Sequence, residues 1–316
     1  MAKYTIKRLL QSLVTVLVVA TIVFLLMRML PTDSYFSEDQ LLKLTEEQKN
    51  DQLEAAGLLD PVGEQLARFY GQIFRGDFGE LRRIQTGVPV LKVIGSKFTI
   101  SMRLGCTSLV IALILGVLMG IGQTLHKDRL FDHIGTGFTV FVNAVPSLVS
   151  YSLVLVFGSK ILGLPSLYST RYEMKSSILP ITCLALASIA SYALWTRRYM
   201  VDELNKDYIR LAKIKGMSSK NIMVKHVFKN AFVPLVQYIP ANFLLTIGGS
   251  LLVERFFSVP GMGPLLTDAI SRYDVNVVQT LAIIYAGLGV LGVFLGDVMM
   301  MLIDPRIRLT GKGETR

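Results

Sequence analysis

Apolar residues in this chain are gathered into long blocks, and the polar stretches between the blocks are of very unequal length. An α-helix needs about 20 apolar residues to cross the hydrocarbon of a bilayer. Six blocks reach that scale, at residues 9–30, 104–125, 134–162, 178–199, 233–257 and 277–303, and they predict an all-α membrane protein with six transmembrane helices. The same pattern divides the chain into four parts. These are a cytoplasmic N-terminus with the first transmembrane helix (1–30), an extracytoplasmic loop with short helices (31–95), a five-helix membrane core (96–303) carrying a cytoplasmic insert (197–233), and a cytoplasmic tail (304–316).

The first polar stretch is too long for a bare connection and should carry structure of its own. Thr45-Glu46-Glu47-Gln48 has capping-box spacing, and Gly57 is placed to end the helix it starts. Leu66, Phe69, Tyr70, Ile73 and Phe74 recur at helical spacing and predict an outside helix with one apolar stripe. Such a stripe can lie on the membrane or on a partner, but packing onto the protein's own spans is the commoner arrangement.

Composition agrees with the pattern, since 52% of the 316 residues are hydrophobic and the mean hydropathy is +0.50. Lys and Arg that flank spans are retained in the cytoplasm. With the N-terminus inside, the cytoplasmic pieces hold 18 basic and seven acidic residues, and the outside pieces 12 basic and 15 acidic. This predicts a multi-pass protein of the cell membrane with both termini cytoplasmic. The first apolar run comes after Lys3, Lys7 and Arg8, but it is longer than a signal h-region and has no A-x-A-like site behind it, so it reads as a retained anchor. Cys106 and Cys183 both fall in spans and read as free, packed thiols.

Gly116-x-x-x-Gly120 and Gly292-x-x-x-Gly296 have the spacing that lets two helix backbones approach closely. Pro146 and Pro240 each remove a backbone hydrogen bond inside a predicted span and should bend it. Only Asp297 is an ionisable residue well inside a span, about two turns from its cytoplasmic end, where structural pairing is expected rather than proton transfer. Arg28, Lys97 and Arg103 lie near enough to span ends to snorkel. The chain has no G-x-x-x-x-G-K-[ST] loop and no H-E-x-x-H, and its three His residues, His126, His133 and His226, all fall in predicted cytoplasmic loops. No catalytic residue, metal site or bound cofactor is therefore expected in this chain.

Residues 197–229 form a basic insert between two apolar blocks, with nine Lys and Arg against Asp202, Glu203 and Asp207. In a soluble protein such a cluster would fit nucleic acid; between two spans it reads as a cytoplasmic loop with no nucleic-acid partner. A solvated, topology-setting loop that touches anionic membrane lipids is the plainer alternative. Locally the insert reads as helix, break, helix: Gly216 can take the left-handed turn that ends the first helix, and Ser218 or Ser219 can cap the second. Tyr208, Leu211 and Ala212 give the first helix an exposed apolar strip, with the small Ala212 allowing close approach, so the insert can act as a knob for a cytoplasmic groove.

Residues 207–216, Asp-Tyr-Ile-Arg-Leu-Ala-Lys-Ile-Lys-Gly, are similar to the EAA loop of the peptide-type permease subunits of ATP-binding-cassette importers, the loop that contains the coupling helix. Gly76-Asp77-Phe78-Gly79, residues 254–263 (Glu-Arg-Phe-Phe-Ser-Val-Pro-Gly-Met-Gly) and Asp304-Pro305-Arg306-Ile307-Arg308 resemble the same family in the same order. Arg210 and Leu211 replace the first two letters of the general EAA pattern, as the peptide subgroup usually does, and leave Ala212 and Gly216. Asp207 is the acid that could replace a salt bridge made from position 210.

The resemblance implies a type I ABC importer permease fold with its permease core at 96–303. It also implies a second homologous permease subunit, two cytoplasmic ATP-binding subunits that hold ATP and Mg, and an extracytoplasmic peptide-binding protein. By the same resemblance, Asp207, Tyr208, Arg210, Leu211, Ala212, Lys213, Lys215, Gly216, Met217 and Ser218 would sit in the ATPase groove. Phe256, Phe257, Pro260, Gly261 and Gly263 would form an outside gate loop. Closure of the ATPases on ATP would then swing the spans from inward-facing to outward-facing.

Polar residues inside apolar spans face a cavity or pair with another helix. Asn143, Ser147, Ser150, Ser188, Ser191, Tyr192, Gln237, Asn242 and Thr246 are the pathway candidates on that ground. The expected function is the membrane subunit of an ATP-driven oligopeptide importer, with dipeptides, nickel, opines or another small solute as alternative cargo. An ion-coupled secondary transporter would need intramembrane carboxylates or broken-helix ion sites, and an intramembrane enzyme a nucleophile with its base or a metal cluster at depth. The sequence shows neither.

Overall fold

Uninterrupted apolar runs leave the backbone one way to satisfy its polar groups in lipid, and the long blocks are accordingly helical. The computed structural model describes residues 2–247 and 250–303; the motif that begins at Asp304 lies outside the described residues. Helix α1 (Ala2–Arg28) leads into three short helices, α2 (Glu38–Lys43), α3 (Glu46–Ala55) and α4 (Val62–Phe74). Then come α5 (Val90–Leu125), α6 (Leu130–Ala144), α7 (Ser147–Lys160) and α8 (Glu173–Leu204). The insert forms α9 (Asp207–Ile214), the single turn α10 (Ser219–Asn221) and a π-helical stretch, Ile222–Phe228. The chain continues with α11 (Lys229–Ile247), α12 (Leu251–Phe256), α13 (Met262–Ser271) and α14 (Val275–Ile303).

Among the described residues, four helices are long and apolar enough to cross a membrane, lying in α1, α5, α8 and α14; α6 and α7 make a fifth if the pair is one span. That pair bends by 115°, far more than a proline kink. Pro146 offers no N–H and forces the residue before it out of the helical region, so Val145 is extended (ψ 131°) and the helix stops and restarts. The predicted third span is thus two helices. The predicted fifth is also divided, into α11 and α12, whereas Pro240 itself lies inside the continuous α11.

Both small-residue motifs are true crossing points. A methyl group on Gly116 would meet Tyr192 Cβ of α8 at 2.7 Å, and one on Gly120 would meet Thr196 Cβ at 2.6 Å. A methyl group on Gly292 or Gly296 would likewise collide with the α11 backbone, at Ala241 and Gln237 respectively. Asp297 accepts from Gln237 Nε2 at 3.3 Å and pairs with Arg8 of α1 at 3.1 Å, so the acid in the last span is a structural partner joining three helices. Cys183 is buried, and both cysteines are free thiols.

Capping boxes at Ser37/Gln40 and Thr45/Gln48 start α2 and α3, and Gly57 comes after α3 at φ +64°. The apolar stripe of α4 packs on the protein itself: Phe69 meets Phe24 of α1 at 5.1 Å between ring centroids, and the Tyr70 hydroxyl donates to the Leu17 carbonyl at 2.8 Å. Phe74, at the end of the stripe, is exposed. Helix α5 has 36 residues and is about 54 Å long, well beyond the ~30 Å of hydrocarbon, so its ends project beyond the apolar layer.

Candidate functional site

Two regions at opposite ends of the bundle gather the residues of interest. At one end α8 stops at Leu204, and α9 leaves it through a short turn. Ile209 and Ala212 of α9 are buried in a cluster with Met200 of α8, Ile222 and Val227 of the π-helical stretch, and Ala231 of α11. Ala212 therefore does not belong to an exposed strip; its small side chain lets α9 seat on its own supporting helices. The strip that remains open is Tyr208, Leu211 and Ile214, with the exposed cations Arg210, Lys213 and Lys215 beside it.

Gly216 sits at φ +77°, and the bonds from Gly216 N–H to the Lys213 carbonyl (3.0 Å) and from Met217 N–H to the Ala212 carbonyl (3.2 Å) close a Schellman turn. Met217 packs against the same cluster as Ala212, the hydrophobic contact that accompanies this turn. Ser218, not Ser219, caps the next turn by accepting from Asn221 N–H at 3.4 Å. Asp207 pairs with Arg210 at 3.4 Å across one exposed helical turn.

The carboxylate that braces the insert is Glu203, which in the sequence stands out only as one of three acids among many cations. It accepts from the Tyr208 hydroxyl and, at 3.2 Å, from Asn230 Nδ2, which also donates to the Tyr208 oxygen at 2.8 Å. This network ties the end of α8, the first turn of α9 and the start of α11. Burial, then the bond to Glu203, pushes the Tyr208 hydroxyl above its ordinary value. Beneath the insert, Arg197 of α8 grips the buried Asp132 of α6 with two bonds of 2.6 and 2.7 Å.

At the other end, α12, a tight turn and α13 hold the predicted gate residues. Phe257, Gly261 and Gly263 are buried, while Phe256 and Pro260 are half-buried. Glu254, which by sequence belongs to the acids of the outside segments, is 1% exposed and accepts from Gly263 N–H at 2.8 Å. Ser101 of α5 accepts from Met262 N–H at 2.9 Å. Tyr168 N–H donates to the Phe257 carbonyl at 2.9 Å, and the Tyr168 hydroxyl donates to Glu173, which also pairs with Arg103. Burial and the Glu173 carboxylate push the Tyr168 hydroxyl up to about 12.

Asp274, just before α14, is fully buried. One of its oxygens accepts from the backbone N–H groups of Arg82, Arg83 and Ile84 at 3.0, 2.9 and 3.3 Å. An acid directly preceding an apolar run is a cap signal in the sequence, but its three partners lie far away along the chain.

The pathway candidates differ in their surroundings. Tyr192 accepts from Asn242 Nδ2 at 3.3 Å and Gln237 donates to Asp297, so these three have interhelical partners. Ser150 is buried with its hydroxyl unpartnered, and Ser188 and Thr246 are half-buried. Asn143, Ser147, Ser191 and Asn242 are exposed. Among the described residues, no group of three His, Cys, Asp or Glu side chains could hold a metal ion.

The chain is thus a bundle of apolar helices with a basic insert at one end and a tightly held Gly- and Pro-containing turn at the other. Residues 112–309 match the family described as the binding-protein-dependent transport system inner membrane component, and the chain belongs to that family. It is 32% identical over 309 residues to the dipeptide transport system permease protein DppB of Lactococcus lactis, covering 98% of this chain and all of that one. It is 31% identical over 313 residues to the oligopeptide transport system permease protein OppB of Salmonella typhimurium, again 98% of this chain and all of that one. Against the oligopeptide transport system permease protein AmiC of Streptococcus pneumoniae it is 38% identical over 211 residues, 66% of this chain and 42% of that one.

Proposed function

We propose that this chain is a permease subunit of an ATP-driven, binding-protein-dependent importer of peptides, forming half of the translocation pathway. The observation that carries this reading is the match to dipeptide and oligopeptide permeases along the whole length of both relatives. The chain then crosses the membrane six times, with α6 and α7 as one broken span and α11 and α12 as another, and both termini are cytoplasmic. A second permease, two ATPase subunits carrying ATP and Mg, and an outside binding protein complete the machine.

The open strip of α9, Tyr208, Leu211 and Ile214 flanked by Arg210, Lys213 and Lys215, suits a groove on an ATPase with an apolar floor and acidic rim. Because α9 is fastened to both α8 and α11, a shift of the ATPase moves two spans together. The turn between α12 and α13 serves as the gate on the outside face. Peptide cargo fits a pathway lined by neutral polar groups such as Asn143, Ser147, Ser191 and Asn242, which tolerate many sequences.

The test is to purify a tagged form of the chain in mild detergent and assay what accompanies it. Co-purification with a second permease and ATPase subunits, and hydrolysis stimulated by peptide-loaded binding protein, is the expected result; a chain that transports alone on an ion gradient refutes the reading. Pro260→Ala should change the transport rate by about threefold while assembly is unchanged, since it loosens a turn that Glu254 and Ser101 still hold. An unchanged rate would remove the case for a gate there.

A further inference from the structure

A cavity of about 510 Å³ lies between α3, α4, the loop of residues 77–87 and the first turns of α14. Its size falls within the range of small-ligand sites, about 300–1,000 Å³. None of the pathway candidates lines it. Five carboxamides do, Gln40 of α2 and Asn276 of α14 together with three others from three elements: Gln52 of α3, Gln72 of α4 and Gln279 of α14. Among the described residues, none of these three side chains makes a hydrogen bond within the chain. The other carboxamides on or beside the cavity each make bonds within the chain: Gln40 and Gln48 accept through Oε1 in their capping boxes, Gln65 donates through Nε2 to the carbonyls of Leu58 and Asp60, and Asn276 donates to the Glu80 carbonyl at 2.8 Å.

A carboxamide presents an acceptor oxygen and two N–H donors, the complement of a peptide bond. Phe69 and Phe78 supply an apolar wall. The charged residues of the lining are two acids, Asp77 and Glu80, against one cation, Arg82. The Arg82 guanidinium donates to the Tyr35 carbonyl at 3.0 Å and lies over the Tyr35 ring, whereas the carboxylates of Asp77 and Glu80 retain acceptor capacity. The walls are also fixed in advance: Asp274 clamps the loop from below, and α4 is bonded to α1 through Tyr70.

We propose that this cavity binds a short peptide with a free N-terminus, its ammonium at Asp77 and Glu80, its amides on Gln52, Gln72 and Gln279, and an apolar side chain against Phe69 and Phe78. This gives the permease a peptide site of its own, apart from the pathway, and adds to the import reading. Such a site would concentrate peptide at the transporter or report its presence before the binding protein docks.

The experiment uses the full chain in lipid nanodiscs without binding protein, carrying Thr86→Cys on the cavity wall in a Cys106→Ser background. Alkylation of the new thiol by a hydrophilic maleimide is timed against increasing Ala-Phe-Ala. The expected result is saturable protection by the tripeptide, with its N-acetylated form needing roughly tenfold more for the same effect. Gln72→Leu with Gln279→Leu should abolish protection in protein that still elutes as a single species. The comparison of free and acetylated peptide needs no further variant. An alkylation rate indifferent to the tripeptide, or protection conferred only by added binding protein, would overturn the site. Peptide-stimulated ATP hydrolysis by the assembled transporter would survive either result, so the cavity can fail while the importer reading stands.

Discussion

The two ends of this bundle are built on different principles. At the α12–α13 end, buried polar groups clamp segments that are distant in sequence, Asp274 holding the backbone of residues 82–84 and Ser101 holding Met262, while Glu254 fastens the turn itself at Gly263. At the insert end, α9 is held through Glu203, Asn230 and a small apolar cluster drawn mainly from α8, the π-helical stretch and α11, with Ile121 of α5 packed against it, and its outer face is bare. The first design makes many elements move as one block. On the proposed import reading the second acts as a lever, fixed to α8 and α11 and open on its outer face. Substitutions at the first end should cost stability, and substitutions at the second should cost transmission.

The largest loss is expected at Asp274→Ala. Three part-buried backbone N–H groups would lose their shared acceptor, at ~1–3 kcal/mol each before relaxation and solvation, for a net loss of about 3 kcal/mol. Thermal unfolding in detergent should drop by roughly 5–10 °C. Leu211→Ala at the other end, which removes an exposed side chain, should leave the melting temperature in place. Equal shifts for the two variants would erase the distinction between the ends.

Gly216→Val is expected to invert that signature. A β-branched residue at φ +77° costs ~1–3 kcal/mol of local strain, enough to shift or unwind the Schellman turn that sets the angle of α9. No atom outside the glycine's immediate neighbours lies within 4 Å of the added Cβ position, so the effect is conformational rather than steric crowding. ATP-dependent uptake in proteoliposomes should fall about tenfold or more, with the spans inserted and basal hydrolysis retained. Normal uptake would mean that the turn does not transmit.

Legibility in the sequence divides along the same line. The apolar blocks, the capping boxes, the small-residue crossings and the Gly216–Ser218 break are local patterns, readable because the physics that fixes them acts within a few residues. Pro146 is readable as a bend but not as a 115° reversal, because a proline sets what the helix loses and tertiary packing sets where the next helix goes. Ala212 reads as exposed when it is seated, because the two kinds of strip have the same periodicity until the supporting cluster is known. Glu254 and Asp274 look like surface charge, and the carboxamides of Gln52, Gln72 and Gln279 belong to no motif. Each depends on neighbours from a distant part of the chain, and charge or amide composition carries no trace of that.

The smallest and most discriminating effect is expected from Tyr208→Phe. The substitution keeps the ring and its contact with His226 and deletes only the hydroxyl that joins α9 to Glu203 and Asn230. Glu203 and Asn230 still bond each other at 3.2 Å, so α8 and α11 stay linked and only α9 is loosened. The loss should be about 1 kcal/mol, a two- to fivefold reduction in uptake per ATP hydrolysed with little change in melting. The proton balance adds a second check. Burial and the Glu203 carboxylate raise this hydroxyl above its unfolded value of about 10, so its contribution is complete below that pH and is lost only as pH climbs through the folded value. The ratio of wild-type to variant coupling should therefore be constant from neutral into mildly alkaline solution. A ratio that changes near neutrality would assign the titration to another group and show that the Tyr208 bridge is not what fastens the lever.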